Sequence, residues 1–287
     1  MKKVKIILEM IKFEHSIFAL PFAFLGAVLG SLIIEGNWPT LMEWVWITLA
    51  MVGARSAAMA LNRLIDAQID KANPRTEERA IPAGQISRTE TLIFIGVSFA
   101  VLFVAAFQLN MLAVYLLPVA VFFLVFYSYT KRFTWLCHIF LGMTIGIAPL
   151  GGWVGATGTL TWEAFVLFIA VAMWTAGFDV IYATQDADYD KEVNLNSIPS
   201  HFGIPKALLM AKGFHVISFT AMIALFFIAP LGWIYLAGLL IVGGIMIYEH
   251  SLVSPDDLSR VTVAFFTMNG IISMVMLIFS ISDLMIL

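Results

Sequence analysis

Long apolar runs separated by short polar breaks dominate the chain. Nine of them lie at about 17–34, 44–61, 91–107, 111–127, 133–154, 164–181, 207–228, 232–248 and 261–281. Each approaches the roughly 20 residues that an α-helix needs to cross a hydrocarbon layer. They do not alternate as strands would, and they exceed the roughly 10 residues of a barrel strand. The pattern predicts an all-α polytopic membrane protein with about nine transmembrane helices, folded as one unit over residues 1–287. The breaks at Gln108-Leu109-Asn110 and Ala229-Pro230-Leu231-Gly232 suit tight helix–helix turns. In the fifth run, Gly142, Gly146, Pro149, Gly151 and Gly152 predict a kink or close helix packing. The N-terminus is basic and then apolar, like a secretory signal. Its apolar run is too long for one and lacks a small-residue cleavage site, so it reads as a retained first span.

Composition agrees. Of 287 residues, 61% are hydrophobic and 12% are charged, against about 25% charged in an ordinary soluble domain. This excludes a soluble enzyme, a nucleic-acid binder and a disordered chain, and it names the lipid bilayer as the surrounding partner. A net charge of −3 steers no ligand, and the single cysteine, Cys137, excludes an internal disulfide. Nothing in the sequence calls for an obligate protein partner.

Where the charges fall says more. Nine crossings put the N-terminus and the 2–3, 4–5, 6–7 and 8–9 loops on one face. Lys2, Lys3, Lys5, Lys12, Arg63, Lys71, Arg75, Arg79, Arg88, Lys131, Arg132, Lys191, Lys206 and Arg260 lie in or beside those segments. Lys212 starts the seventh run, and Arg55 lies inside the second. The loops of the opposite face carry no Lys or Arg, so the crowded face is predicted to be cytoplasmic.

That face also gathers the acids, in two similar segments. The second run ends in NRLIDAQIDKANPRTEERAIPAG, and the sixth ends in YATQDADYDKEVNLNSIPS. A shift of 120 residues places Asp66 on Asp186, Asp70 on Asp190 and Lys71 on Lys191. With a gap of three, Ile81-Pro82 falls on Ile198-Pro199, so residues 62–82 resemble 182–199. Helical residues four apart lie one above another. Asn62, Asp66 and Asp70 would form one ridge, and Asp186 with Asp190 another. Two like charges about 5 Å apart cost about 3 kcal/mol at an effective dielectric near 20, so stacked acids call for cations. Oxygen-only donors favour Mg²⁺ over zinc, and Mg²⁺ is commonly completed by phosphate. Arg75, Arg79, Lys131 and Arg132 on the same face suit that phosphate. The combination describes removal of diphosphate from an organic chain whose apolar part lies among the helices.

These motifs resemble the UbiA superfamily of intramembrane prenyltransferases. The first signature, N-D-x-x-D-x-x-x-D, is matched from Asn62 through Asp66 to Asp70, and the second, D-x-x-x-D, from Asp186 to Asp190. ERAIPAG, NSIPS, Lys131-Arg132 and the opening KFEHSIFALPFAFLGA are also similar to that family. Arg63 stands where the first signature is usually acidic. That change resembles a bacterial branch of 4-hydroxybenzoate polyprenyltransferase-like enzymes, including those of the futalosine route to menaquinone. The resemblance implies an aromatic-prenyltransferase-type bundle with its active-site loops on the cytoplasmic side of a bacterial inner membrane. It implies attack of an aromatic ring, such as 4-hydroxybenzoate or a dihydroxynaphthoate, on a polyprenyl diphosphate with release of pyrophosphate. Asn62, Asp66, Asp70, Asp186 and Asp190 would hold Mg²⁺, and Arg79, Lys131 and Arg132 would contact the diphosphate. Asp179, deeper in the bundle, would orient the phenol or take the ring proton, and Arg55 would partner an aromatic carboxylate or an acid ridge, since intramembrane charges need a partner or a task. Arg63 is expected to point away from the ridge.

Other readings compete. Intramembrane carboxylates and internal repeats also occur in ion-coupled transporters, although these acids sit at helix ends. A CDP-alcohol phosphotransferase would need a D-G opening that is absent. Asp188 and Asp256-Asp257 are expected to face water. His15, His138, His201, His215 and His250 are too scattered for a metal site, with His138 and His215 expected as satisfied polar groups inside the bundle.

Overall fold

The computed structural model describes residues 2–12 and 16–286. Phe13, Glu14 and His15 of the opening motif lie outside the described residues. Nine described helices are long and apolar enough to cross a membrane. Together with four short helices, they are numbered here in chain order. A short surface helix, α1 (Lys2–Met10), precedes the spans α2 (Ser16–Glu35) and α3 (Leu41–Ile65). The short α4 (Ala67–Ala72) leads by a loop to the spans α5 (Arg88–Leu109), α6 (Met111–Thr130), α7 (Cys137–Thr157) and α8 (Trp162–Ala183). Short α9 (Ala187–Glu192) and α10 (Ile198–Phe202) precede the spans α11 (Ile204–Ile228) and α12 (Trp233–Ser251). The last span joins a π-helical turn, Val263–Met268, to α13 (Asn269–Leu284).

The predicted spans are present, and their ends differ for local reasons. α3 starts earlier than the apolar run because Thr40 caps it. Thr40 Oγ1 accepts from the Glu43 amide at 3.3 Å, and Glu43 Oε2 accepts from the Thr40 amide at 2.6 Å. Ser87 and Glu90 do the same for α5. α7 starts later than predicted because the residues after α6 turn back, with the Thr134 amide on Thr130 O at 2.9 Å.

Small residues set how closely the spans approach. A Cβ at Gly26 would overlap the Pro149 carbonyl, one at Gly152 the Ala23 carbonyl, and one at Gly142 the Ala172 carbonyl. α2 and α8 therefore lie almost against the backbone of α7, the close approach that small residues permit in lipid. Phe22, Leu25, Trp153, Leu167, Trp174 and Met222 fill the resulting core. Outward-facing Ile93, Val97, Leu240 and Ile247 are exposed, as lipid-facing side chains are. Trp162 and Trp233 open α8 and α12 on the face away from the acids and are both 82% exposed, where an aromatic belt is expected.

The π turn is closed by one side chain. Asn269 Nδ2 donates to Ala264 O at 3.0 Å, Phe265 O at 3.1 Å and Glu249 Oε1 at 2.9 Å, while its Oδ1 accepts from Trp174 Nε1 at 2.6 Å. The wider turn presents Phe265 and Phe266 toward Phe18, Phe178 and Tyr182, forming one aromatic wall.

Candidate active site

The two acidic segments break their helices at equivalent aspartates. Asp66 (φ −89°, ψ 2°) separates α3 from α4, and Asp186 (φ −105°, ψ 5°) separates a single 3₁₀ turn, Thr184–Asp186, from α9. Across the first break the ladder continues, with Asp66 N on Asn62 O at 2.9 Å and Asp70 N on Asp66 O at 2.8 Å. The Asn62–Asp66–Asp70 ridge therefore persists. Tyr189 ties the segments together by donating from its hydroxyl to Ile69 O at 3.1 Å.

Basic side chains hold three of the acids. Asp66, only 2% exposed, accepts from Lys131 Nζ at 2.7 Å, from Arg132 Nη2 at 2.8 Å and from Asn62 Nδ2 at 3.1 Å. Asp70 pairs with Arg79 at 2.7 Å, while its Oδ2 is buried without a hydrogen-bond partner. Asp186 is clamped by Arg75, through Nη2 and through Nε at 2.8 Å, and accepts from Asn73 Nδ2 at 3.1 Å. Burial works against the Arg75 charge, but the Asp186 carboxylate outweighs it and raises the guanidinium pKa above its ordinary value. Arg75 also donates to Tyr182 Oη at 3.2 Å. The like-charge cost expected from the ridges is thus offset by basic groups from the turn after α6, from the same loop and from the opposite segment. Among the described residues no three His, Cys, Asp or Glu side chains converge into a cation cage.

All five proposed metal-site residues line one cavity of about 740 Å³. Arg55, Arg75, Arg79, Lys131, His138, Asp179, Tyr182, Phe265 and Phe266 line it too. Arg132 turns behind Asp66 and donates to Ser128 O at 2.7 Å and Ile65 O at 3.1 Å, which fastens the end of α6 to the end of α3. Arg63 donates to Met10 O at 3.4 Å yet also borders the cavity, so it turns from the acid ridge without leaving the site. A second, apolar pocket of about 330 Å³ lies between α3, α5, α6 and α7 and shares Arg55, Met59, Tyr127, Leu141 and Ile145 with the first.

Deeper in the large cavity, Asp179 Oδ2 lies 2.7 Å from His138 Nδ1, and His138 Nε2 accepts from the Ile198 amide at 3.2 Å. His138 is a satisfied polar residue, as expected, but it also borders the site. Along the sequence His138 is one of several scattered histidines, and Asn73 carries no signal of its own. A His near the start of the fifth apolar run is the only local signal for His138, because Asp179 lies 41 residues away. Asp188 and Asp256-Asp257 are exposed, as predicted.

The chemistry of the donors bears on a metal. The acids are hard oxygen donors on one cavity wall, and the partnerless Asp70 Oδ2 offers a buried ligand position. Both features fit Mg²⁺ better than a soft metal.

Comparison with known proteins agrees with this architecture. The model of the UbiA prenyltransferase family matches residues 19–271. A 4-hydroxybenzoate octaprenyltransferase of Shewanella halifaxensis is 29% identical, over 82% of this chain and 81% of its own. One from Vibrio atlanticus is 30% identical, over 81% and 82%. The apo structure of a UbiA homologue from Aeropyrum pernix superposes with a TM-score of 0.84 at 32% identity, covering 94% of this chain and 98% of that one. A UbiA homologue from Archaeoglobus fulgidus bound to GPP and Mg²⁺ shares the fold, with a TM-score of 0.77 at 19% identity over 98% and 99% of the two chains. With nine apolar helices among its described residues and a family match spanning most of its length, this chain is a multi-pass membrane protein and belongs to the UbiA prenyltransferase family.

Proposed function

We propose that the protein transfers a polyprenyl group from an allylic polyprenyl diphosphate to an aromatic acceptor such as 4-hydroxybenzoate, releasing pyrophosphate, in quinone biosynthesis. The observation that carries this reading is a set of acid–base pairs lining a polar cavity that adjoins an apolar pocket. Such pairs can be exchanged. The basic partners would turn to a diphosphate and the carboxylates would hold a divalent cation, so each charge would keep a counter-charge. The names of the bacterial relatives support the substrate class. Positive charge crowded on one face supports a cytoplasmic site in a bacterial inner membrane, and the two acidic segments read as related halves of a single domain.

Asn62, Asp66, Asp70, Asp186 and Asp190 would hold Mg²⁺. Bound there, the ion supplies positive charge that offsets the charge growing on the leaving diphosphate. Arg79 and Lys131 contact the diphosphate, and Arg132 keeps Asp66 in place from behind. The apolar pocket receives the prenyl tail. Arg55, shared by both pockets, meets the acceptor's carboxylate. As the allylic C–O bond breaks, its electron pair leaves with the diphosphate. A ring carbon forms the new C–C bond, and Asp179 accepts the proton that the ring releases. Dry walls around the site strengthen these electrostatic effects and shield the allylic cation from water.

Purified protein given Mg²⁺, a polyprenyl diphosphate and a panel of phenolic acids tests the assignment by mass spectrometry. Prenylated 4-hydroxybenzoate is expected, and it should vanish on adding EDTA. A dihydroxynaphthoate product instead would move the acceptor to the menaquinone branch. Ion flux in liposomes without any prenylated product would overturn the reading in favour of transport.

A further inference from the structure

The Asp179–His138 contact assigns a proton. The Ile198 amide points at His138 Nε2 at 3.2 Å, and an N–H can only donate. Nε2 therefore carries no hydrogen, and the ring proton sits on Nδ1, 2.7 Å from Asp179 Oδ2. The ring is therefore the Nδ1–H tautomer, both of its nitrogens are satisfied, and one Asp179 oxygen is occupied as an acceptor. His138 is 3% exposed, whereas the Asp179 side chain keeps 21% of its surface accessible and lines the large cavity. The histidine is thus packed behind the acid, where it fixes the direction in which the remaining oxygen faces.

The backbone that fixes the ring belongs to the second acidic segment. Ile198 opens α10, and the preceding Asn196 amide donates to Lys131 O at 2.7 Å while Cys137 Sγ lies 3.4 Å from Asn196 O. One short stretch, 196–198, is therefore pinned to Lys131, Cys137 and His138. The diphosphate end of the cavity and the deep acid share this single brace.

We propose that His138 is a positioning residue that holds Asp179 aimed through an Nδ1–H tautomer imposed by the Ile198 amide. It touches no substrate and acts through the acid. The inference rests on the functional reading above, in which Asp179 takes the acceptor's proton. A histidine in this role sets kcat rather than substrate affinity, because misplacing a reacting group by about 1 Å can cost about 10²-fold.

Two variants separate positioning from packing. His138→Leu keeps bulk but removes both hydrogen bonds, whereas His138→Asn places an amide N–H where Nδ1–H stood. In the prenyl-transfer assay His138→Leu is expected to lose about 10²-fold in kcat, with KM for the diphosphate unchanged. His138→Asn should recover most of that loss. NMR of [¹⁵N]histidine-labelled protein should show one ring in the neutral Nδ1–H form, absent from His138→Asn and perturbed by Asp179→Asn. Full kcat in His138→Leu, no recovery in His138→Asn, or an Nε2–H tautomer at His138 would each overturn the proposal. A wild type that prenylates no phenol would overturn the functional reading and this inference with it. Failure of the variants alone would overturn only the inference.

Discussion

The two acidic segments share a spacing and a backbone break, yet their carboxylates are held differently. Asp66 is almost fully buried and bonded to Lys131 and Arg132, both from the turn after α6. Its counterpart Asp186 is 18% exposed and clamped by Arg75 and Asn73, which come from the loop of the first segment. Asp70 pairs within its own loop, with Arg79, whereas Asp190 borders the cavity with its side chain half-buried. The first segment is therefore anchored to the bundle, and the second is anchored to the first. Equal spacing does not mean equal work. The first copy ties into the helix bundle, and the second ties only to the first.

Substitutions can break this contrast, and the largest effect is expected at the anchor. Asp66→Ala leaves Lys131 and Arg132 facing each other without a counter-charge. Turnover should fall by about 10³-fold, and the melting temperature in detergent should drop. The stability loss belongs near or below the low end of the about 3–5 kcal/mol for a broken buried pair, because both basic side chains are partly exposed. Asp190→Ala should lower turnover by about 10²-fold and leave the melting temperature unchanged. If both variants melt alike, the asymmetry between the segments is wrong.

Smaller effects sharpen the contrast. Arg75→Gln unclasps the two loops and removes a charged hydrogen bond, so KM for the diphosphate should rise about tenfold. Its stability should fall less than that of Asp66→Ala, because Asp186 keeps more access to water than Asp66 does. Asp188→Ala, on the exposed side of α9, should leave kcat and KM unchanged and serves as the control within the same helix.

Much of this was legible along the chain. Apolar runs near the length of a bilayer have few alternatives to spanning helices, so the nine spans among the described residues are legible directly. The acid ridges were visible because helical neighbours four apart are neighbours in sequence. Partnerships across the fold were not visible. Arg132 reads as one more loop cation, and only the approach of α6 to α3 turns it onto Asp66 and the Ile65 carbonyl. His138 reads as a stray polar group until α8 brings Asp179 beside it. The π turn at Val263–Met268 also escaped notice, because its freed carbonyls are met by Asn269, whose role depends on Trp174 and Glu249 from other helices. Local spacing reveals ridges, and only packing reveals what each ridge leans on.

On the proposed reading these acid–base pairs open, so that the basic groups can take a diphosphate and the carboxylates would hold Mg²⁺. Pyrophosphate release measured with and without 4-hydroxybenzoate, in Mg²⁺ and in EDTA, tests it most directly. The account predicts release that requires Mg²⁺, rises with the acceptor, matches the prenylated product mole for mole and disappears in Asp186→Ala. Equal release in EDTA, or full release by Asp186→Ala, would contradict it.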